Sequence, residues 1–569
     1  MILKALYDYY ERSKDILPKF GRELKEIGFL IVIDKNGQFI RFEDRRIDNK
    51  HAQTYLVKKS LKRTSAPLSQ FLYDNSAYVF GYSDKEGRDA TKYYRCFKQK
   101  IKEIHDIIPD SDDIKAVYRF YQNDLNEIHS KMKADILWND IACNLNKKYS
   151  IFSFLIDGDT KIVAEKNEIL DEFEEPKATD EHICLITGEK APVVATTTAT
   201  TIQGSQPVAT LVAFQINSGY DSYGKTQCAN APISANAEFA YTTALNHLLA
   251  PNSKNKFTIG SRTYVFWASK ADEAGINAEK SIFSMFGFQQ DEDDPNSGID
   301  EVRKVFTAIY AGSINTTLDN KFYILGLTPN AARIAVVYWA EIPLKDFAAR
   351  ILSHFEDMSI ADNRTDKKPY TSLRQILSTV TLGGQSSDSI PNLPEAISKS
   401  IFQGLSYPYT LFSSCVRRIK AEQNVYIAHA AILKAYLNRI DNTNKKIEIM
   451  LDTSNTNQGY LCGRLFAVLD KIQNDANNQS SIREHYMNSA SATPAAVFAT
   501  ILNLSQHHSE KLNEGRKIFY EKLKQEIIDK IESNGFPTHL DLQDQGRFFV
   551  GYYHQRQAFY TPQNDKTEE

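Results

Sequence analysis

The chain has 569 residues, with 68 basic and 71 acidic side chains and a formal net charge of −3 at pH 7. This balance excludes a uniformly basic surface, so any contact with nucleic acid has to come from local patches. Hydrophobic residues make up 42% of the sequence, which is enough for large buried cores, and the length predicts two to four domains.

The cysteine pattern and the apolar runs further limit the classes of protein to which the chain can belong. None of the six cysteines lies within four residues of another, so the sequence lacks the CxxC spacing of a zinc site. A disulfide framework is not expected in so long a chain. The N-terminus is too charged for a signal peptide, and no apolar run reaches membrane-spanning length. These features predict a cytoplasmic protein that makes no membrane contact.

The N-terminal part of the chain mixes helix and strand patterns. Apolar side chains recur at helical spacing in residues 1–26, which predicts an amphipathic helix. The runs FLIVID and QFIRF flank Asn36-Gly37, the strongest short-range signal for a β-hairpin. Residues 90–150 have helical spacing, and residues 152–163 return to strand character around a turn.

The central part is punctuated by glycines between short apolar runs. Residues 211–214 and 264–267 are predicted to be strands, and residues 235–249 are predicted to be a helix. Residues 322–339 are predicted to form two strands around a Pro-Asn turn. Loop residues held on such a scaffold usually serve binding or catalysis.

The chain becomes helical after residue 342, apart from a polar bridge at 441–459. We therefore predict an α+β fold, with a mixed helix and sheet N-terminal and central region followed by an all-α C-terminal helical bundle. The predicted division has four parts. They are an N-terminal α+β domain with a basic arm at 1–180, a central strand-rich domain at 181–340, a helical region at 341–440 and a C-terminal bundle at 441–569.

Several long segments carry a resemblance to a known family. They are KRTSAPLSQFLYDNSAYVFG from residue 62, TGEKAP from 187, SYGKTQCANAPIS from 222, EFAYTTALNHLLA from 238 and FWA from 266. In these segments the chain resembles the Csd family, the large subunit of type I-C CRISPR interference complexes (Cascade). The resemblance extends from Met1 to about Arg556, without the acidic stretch at 291–294.

The resemblance implies a DNA-binding subunit of an RNA-guided surveillance complex, and no enzymatic activity, cofactor or metal. Pairing with the guide supplies sequence specificity, so the protein has to read only a short protospacer-adjacent motif (PAM), help to open the duplex and hold the displaced strand. The implied partners are double-stranded target DNA, backbone subunits with CRISPR RNA, a recruited helicase-nuclease and a small subunit. In type I-C systems the small subunit arises by internal translation, and Met450 is the candidate start.

Four residues are candidates for PAM recognition. Asn75 lies in a DN-x-x-YV-x-G pattern of the family, and its amide can both donate to and accept from a base edge. The alternative is that Asn75 caps an Asx-turn. Gln203, Gly204 and Gln206 resemble the glycine loop and glutamine wedge of Cascade large subunits in residue type and loop character.

Two basic runs are candidates for phosphate contacts. The first, at residues 45–63, has a single acid, and its candidates are Lys58, Lys59, Lys62 and Arg63. The second lies on a predicted helix, and its candidates are Arg417, Arg418 and Lys420. The alternatives are a solvated loop for the first run and ordinary helix surface for the second.

Two other functions stay open from the residues alone. A metal-dependent nuclease would need spaced carboxylates, and the acidic stretch at 291–294 is more typical of an exposed loop. HExxH and GxSxG motifs are absent. A structural scaffold of the complex that reads no DNA is the other alternative.

Overall fold

The computed structural model describes residues 1–61, 63, 66–83, 89–172, 181–214, 223–286, 297–317, 319–364, 370–440, 446–478 and 481–561. It confirms the α+β class, with small sheets in the N-terminal and central regions and helices in the C-terminal region. The chain forms two compact units. We call Tyr9–Thr198 with Phe214–Ala244 the N-terminal unit, and Met1–Asp8, Ala199–Ala213 and Leu245–Glu569 the C-terminal unit. The predicted division into four domains stays a prediction.

The strands are short and come from many parts of the chain. In chain order they are β1 Arg22–Glu26, β2 Phe29–Ile33, β3 Phe39–Asp44, β4 Thr54–Lys58, β5 Tyr73–Asp74, β6 Phe152–Ile156, β7 Glu181–Ile183, β8 Lys190–Pro192, β9 Lys256–Ile259, β10 Arg262–Ala268, β11 Lys321–Asn330 and β12 Arg333–Pro343.

The α-helices contain more of the described residues than the strands do. In chain order they are α1 Ile2–Arg12, α2 Ser76–Val79, α3 Thr91–Ile107, α4 Asp112–Phe120, α5 Leu125–Lys133, α6 Trp138–Asn144, α7 Asn167–Asp171, α8 Ala235–Leu248, α9 Glu273–Phe286, α10 Ser297–Ala311, α11 Leu344–Met358, α12 Leu373–Val380, α13 Leu393–Gln403, α14 Tyr409–Glu422, α15 Ile427–Ile440, α16 Gln458–Asn477, α17 Ile482–Ala492, α18 Pro494–Ser509, α19 Glu514–Ile528 and α20 Leu542–Ala558.

The N-terminal unit is built on a four-stranded sheet in the order β3-β2-β6-β5. β2 and β6 are parallel and every residue in both is buried, which fits their continuous apolar sequences. β3 joins β2 as the predicted hairpin, with Gly37 at φ 78°. A side chain at Gly37 would place its Cβ 2.4 Å from the backbone nitrogen of Phe120, so the turn packs directly on α4.

Three predicted elements differ from the structure. The predicted helix at 1–26 ends at Arg12, and β1 follows it and pairs antiparallel with β4. The helix ends six residues before Pro18, and Pro18 with Gly21, at φ 78°, is not compatible with its continuing further. Residues 211–214 form no strand, because the described chain next to them makes only an isolated bridge at Thr210. The strand predicted at 152–163 ends at Ile156, and residues 163–165 form a 3₁₀ turn.

The C-terminal unit contains an antiparallel sheet in the order β12-β11-β10-β9. One face of this sheet packs on helices through aromatic rings, with Phe322 stacked on Phe347 of α11 at a centroid distance of 4.3 Å. The strand prediction at 264–267 and the paired strands at 322–339 are confirmed.

Close contact between α16 and α20 joins the last helices to this core. A Cβ at Gly463 of α16 would lie 1.9 Å from the carbonyl oxygen of Phe548, and one at Gly551 of α20 would lie 2.3 Å from the carbonyl oxygen of Tyr460. α20 also packs on α14, since a Cβ at Gly546 would meet the ring of Phe412 at 2.7 Å. The helices on both sides of the polar bridge therefore share one core.

We expect Gly463→Ala to destabilise the protein by about 2–4 kcal/mol, because backbone at this crossing has to move apart to admit a methyl group. Gly515→Ala is the matched control. Gly515 is exposed on α19 and has room for a Cβ, so alanine should stabilise by up to about 1 kcal/mol. Urea unfolding of both variants checks the sign of each change. Equal stability of Gly463→Ala and wild type would contradict the close crossing.

Three buried histidines of the C-terminal unit resist protonation. Burial lowers the pKa of His354, His429 and His554 to about 4. His354 has a well-defined neutral form, since its Nδ1 lies 2.7 Å from the hydroxyl of Tyr407 and its Nε2 lies 2.8 Å from the carbonyl oxygen of Thr371. A proton added at Nδ1 would remove the acceptor of the Tyr407 hydroxyl, whereas Nε2–H would still donate to the carbonyl of Thr371.

The free energy of unfolding should fall as the pH is lowered from about 6.5 toward 4, because the unfolded histidines bind protons in this window and the folded ones do not. The loss should be about 2 kcal/mol per histidine between about pH 7.5 and about pH 5. His354→Gln should reduce this pH dependence, and His507→Gln at an exposed position should not. Urea unfolding at the two pH values measures this change in the free energy of unfolding. If His354→Gln loses as much stability between the two pH values as wild type does, the low pKa assigned to His354 is wrong.

Candidate nucleic-acid interface

A buried carboxylate organises the segment that contains Asn75. Asp74 is 2% exposed and accepts hydrogen bonds from the backbone N–H of Gln70 at 3.0 Å and of Asn75 at 2.8 Å. The guanidinium of Arg63 also donates to it. Burial raises the pKa of Asp74, and the hydrogen bond and charge of Arg63 oppose that rise. We call residues 66–83 the reading segment. The contacts of Asp74 with Gln70, Asn75 and Arg63 therefore fix the conformation of this segment around residue 74.

Asn75 lies at the N-terminus of α2. Its side-chain oxygen accepts a hydrogen bond from the backbone N–H of Ala77 at 3.1 Å, so it acts as the cap of this short helix. Its side-chain amide N–H groups make no hydrogen bond within the described part of the chain. The cap alternative is therefore present in the structure, and the role in base recognition stays a prediction.

Arg63 is an exposed residue whose guanidinium makes several contacts within the N-terminal unit. Besides the ion pair with Asp74, it donates to the carbonyl of Leu68 at 2.8 Å and lies over the ring of Tyr78 at 4.0 Å. These contacts favour a structural role over the predicted phosphate contact. Lys62 lies outside the described residues.

Lys58 and Lys59 end β4 and continue the same run. The ammonium group of Lys59 pairs with the buried carboxylate of Glu238 at 3.5 Å and lies 3.2 Å from the hydroxyl of Thr198. Lys58 lies over the ring of Phe71 at 5.4 Å, and the hydroxyl of Tyr73 donates to its carbonyl at 2.8 Å. Both side chains are half-buried, so any phosphate contact would use only part of each.

The candidate glutamine loop lies in the C-terminal unit. Gln203, Gly204 and Gln206 are all exposed. The base of the loop is closed by the N–H of Thr200, which donates to the carbonyl of Ala209 at 2.7 Å, and it is attached to the β11–β12 hairpin by a bridge from Thr210. Gly204 has φ 80°, which other residues adopt rarely. The structure therefore presents both glutamine side chains from a closed loop.

The second basic run on α14 does not form a single patch. Arg417 is exposed and donates to the hydroxyl of Ser414 at 3.1 Å. Arg418 pairs with Glu422, and Lys420 donates to the side-chain oxygen of Gln545 at 2.7 Å. Burial also lowers the pKa of Lys420. Of these three candidates, Arg417 is the most accessible to a phosphate.

The segments of the family pattern at 181–234 pair with one another in the N-terminal unit. The N–H of Leu185 donates to the carbonyl of Pro232 at 2.9 Å, and the N–H of Ser234 donates to the sulfur of Cys184 at 3.3 Å. Tyr223, next to this paired region, is 98% exposed. Tyr223 is not among the candidate residues predicted from the sequence.

Two further predictions concern a metal site and a membrane segment. The described residues contain no group of three or more His, Cys, Asp or Glu side chains placed to hold a metal ion. The acidic stretch at 291–294 lies outside the described residues. None of the helices in the described ranges combines the length and the apolar character needed to cross a membrane.

A comparison with protein-family models matches residues 6–560 to the family described as CRISPR-associated protein (Cas_Csd1). The match covers nearly the whole chain, including both compact units. A search of the curated proteins finds no match.

Arg63→Ala should destabilise the protein by about 2–4 kcal/mol, because it leaves the carboxylate of Asp74 buried without its charged partner. Arg63→Lys should retain part of the stability, since a single ammonium group cannot make all the contacts of the guanidinium. The control is Arg417→Ala, an exposed change expected to alter stability by less than about 0.5 kcal/mol. If thermal unfolding shows the same small effect for both alanine variants, the structural role of Arg63 is wrong.

Proposed function

The chain belongs to the Cas_Csd1 family of CRISPR-associated proteins, and from this premise we propose that it is the DNA-binding large subunit of a type I-C Cascade. In this role it recognises the PAM, helps to open the target duplex and holds the displaced strand. The family match over residues 6–560 is the observation that carries the proposal. It also confirms the resemblance to the Csd family that the sequence motifs indicated.

The proposal assigns base recognition to few side chains. Guide pairing reads the target, so the protein has to distinguish only a short duplex motif. Such recognition needs polar groups that both donate and accept, together with a rigid support. Asn75 retains amide donors that no described residue accepts, and Gln203 and Gln206 project from a closed loop. These features support their assignment as PAM candidates.

The proposal assigns fewer residues of the first basic run to phosphate contacts than the sequence predicted. Lys58 and Lys59 remain candidates for phosphate contacts, although each is half-buried and can offer only part of its side chain. Arg417 is exposed and can offer its whole side chain. Arg63 stabilises the reading segment through its ion pair with Asp74. DNA affinity then depends on local cations, as the net charge of −3 requires.

As a CRISPR-associated Cascade subunit, the protein has partners in an effector complex. We assign to it backbone subunits with CRISPR RNA, double-stranded target DNA, its displaced strand and a helicase-nuclease that cuts the target. The chain itself binds DNA in the cytoplasm and does not cleave it. Met450 is 57% exposed and lies between α15 and α16, and it is the proposed start of a separately translated small subunit.

The test is binding of the reconstituted complex to matched DNA, with the PAM intact and then scrambled, with and without this chain. Discrimination should appear only when the chain is present. Discrimination that persists without it would assign recognition to another subunit and leave this chain as a scaffold.

Asn75→Ser refines this test within the chain. Serine retains the helix cap, so the fold should be unchanged, but it lacks the amide that reads a base. Affinity for the intact PAM should fall by about 1–3 kcal/mol, and affinity for the scrambled PAM should be nearly unchanged. Asn75→Ala, which also removes the cap, shows how much of any loss comes from the helix. An equal loss on both DNAs with Asn75→Ser would eliminate the base-reading role.

A further inference from the structure

The first three turns of α3 contain cations and no acid. Residues 90–102 include five basic side chains and neither Asp nor Glu, and the basic residues are Lys92, Arg95, Lys98, Lys100 and Lys102. None of the candidate residues named above lies on this helix. The rest of α3 contains Glu103 and Asp106.

Four of these cations share one side of the helix. Lys92, Arg95, Lys98 and Lys102 follow one another at intervals of three, three and four residues, and we call them the cationic stripe. The stripe extends over about 15 Å of the helix axis. The opposite side is buried in the core of the N-terminal unit, through Tyr94, Phe97, Ile101 and Ile104.

The stripe keeps its charge within the described part of the chain. Arg95, Lys98 and Lys102 make no ion pair or hydrogen bond with described residues. Lys100, which is not in the stripe, pairs with Glu103 at 3.3 Å. The acid nearest to the start of the stripe is Asp89, whose pKa is lowered chiefly by hydrogen bonds from Thr91 and further by Arg95 and Lys92.

Helix stability does not explain the stripe. Lys92 lies in the first turn of α3, which has no acid, and the cap residue Ala90 makes no side-chain hydrogen bond. A cation at this end opposes the helix dipole, at a cost of about 0.3–1 kcal/mol. The neighbouring helices follow the opposite pattern, with acids in the first turns of α4 and α5. An external anionic partner would account for Lys92, the stripe residue at a position that the helix dipole disfavours.

The stripe is attached to the reading segment. Tyr93 of α3 contacts Tyr78 of α2 at a ring centroid distance of 5.0 Å. Cys96 donates to the carbonyl of Pro67 at 3.6 Å. Asn75 caps α2, so the stripe and the candidate base reader lie on directly packed elements of one unit.

We infer that the cationic stripe binds the phosphodiester backbone of duplex DNA beside the PAM. The inference rests on the proposed function, since it adds the backbone contact to the same recognition site. Successive cations are about 4.5–6 Å apart along the axis, a regular row that suits the repeating charge of a nucleic-acid strand. A basic stripe along one helix is the electrostatic pattern expected of such a surface.

The experiment compares two variants that each lose four positive charges from the N-terminal unit. The stripe variant is Lys92→Gln, Arg95→Gln, Lys98→Gln and Lys102→Gln. The matched control is Lys133→Gln, Lys147→Gln, Lys148→Gln and Lys161→Gln, which are exposed and make no ion pair with described residues. A third variant exchanges Lys and Arg at the four stripe positions and preserves every charge. All are assembled into the complex and bound to duplex DNA over a range of salt concentrations.

The stripe variant should bind duplex DNA at least about tenfold more weakly near 0.1 M salt, and the slope of log K against log salt should fall by up to about 3–4 units. The intact and scrambled PAM should be affected alike, so their affinity ratio stays at the wild-type value. The control and the charge-preserving variant should match wild type.

Three results would overturn the inference. They are a stripe variant that binds duplex like the control, a loss confined to single-stranded DNA, and a failure of the folded variant to join the other subunits, which would indicate a protein contact. Thermal unfolding checks the fold of each variant. Failure of the proposed function gives a different result from failure of this inference. In that case the wild-type complex would show no PAM discrimination, whereas the salt dependence of the stripe variant and the control could still be compared.

Discussion

One buried carboxylate sets the geometry on which the candidate interface depends. Asp74 is almost completely removed from water, so its charge has to be compensated inside the protein. Two backbone N–H groups within the reading segment do this together with the guanidinium of Arg63, which precedes the segment. The start of α2 is fixed by the same contacts, and α3 packs on α2. The position of Asn75 thus depends on its contact with Asp74, and α3 with the cationic stripe packs on the same segment.

The same constraint explains why basic residues were hard to assign from sequence. A run such as Lys58 to Arg63 shows its cations but not their partners. Arg63 finds its acid eleven residues later, whereas Lys59 pairs with Glu238, 179 residues away. Only the folded chain decides such pairings. The cationic stripe is the reverse case, because its spacing and the absence of Asp and Glu from residues 90–102 are local features of the amino-acid sequence.

The fold could be predicted where the decisive interactions are local. Asn36-Gly37 sets a hairpin by its own backbone preference, and the long helices follow from apolar spacing. Predictions were wrong where structure depends on distant partners or on a single breaking residue. β1 exists because β4 pairs with it, and Pro18 with Gly21 lies between β1 and the helix that ends at Arg12. Residues 211–214 have the apolar composition of a strand, but the described chain offers them no strand to pair with.

A nearly neutral chain suits the task proposed for it. Contacts to phosphate hold any duplex with a strength that rises with each cation, so a uniformly basic protein would be retained on wrong sequences. In the proposed function a short stripe limits this general affinity, while Asn75 on the adjacent reading segment adds a difference of a few kcal/mol between right and wrong PAMs. Guide pairing then supplies the remaining specificity, which the protein itself does not have to carry. On this proposal, the low net charge and the small number of candidate readers both follow from one division of work between protein and RNA.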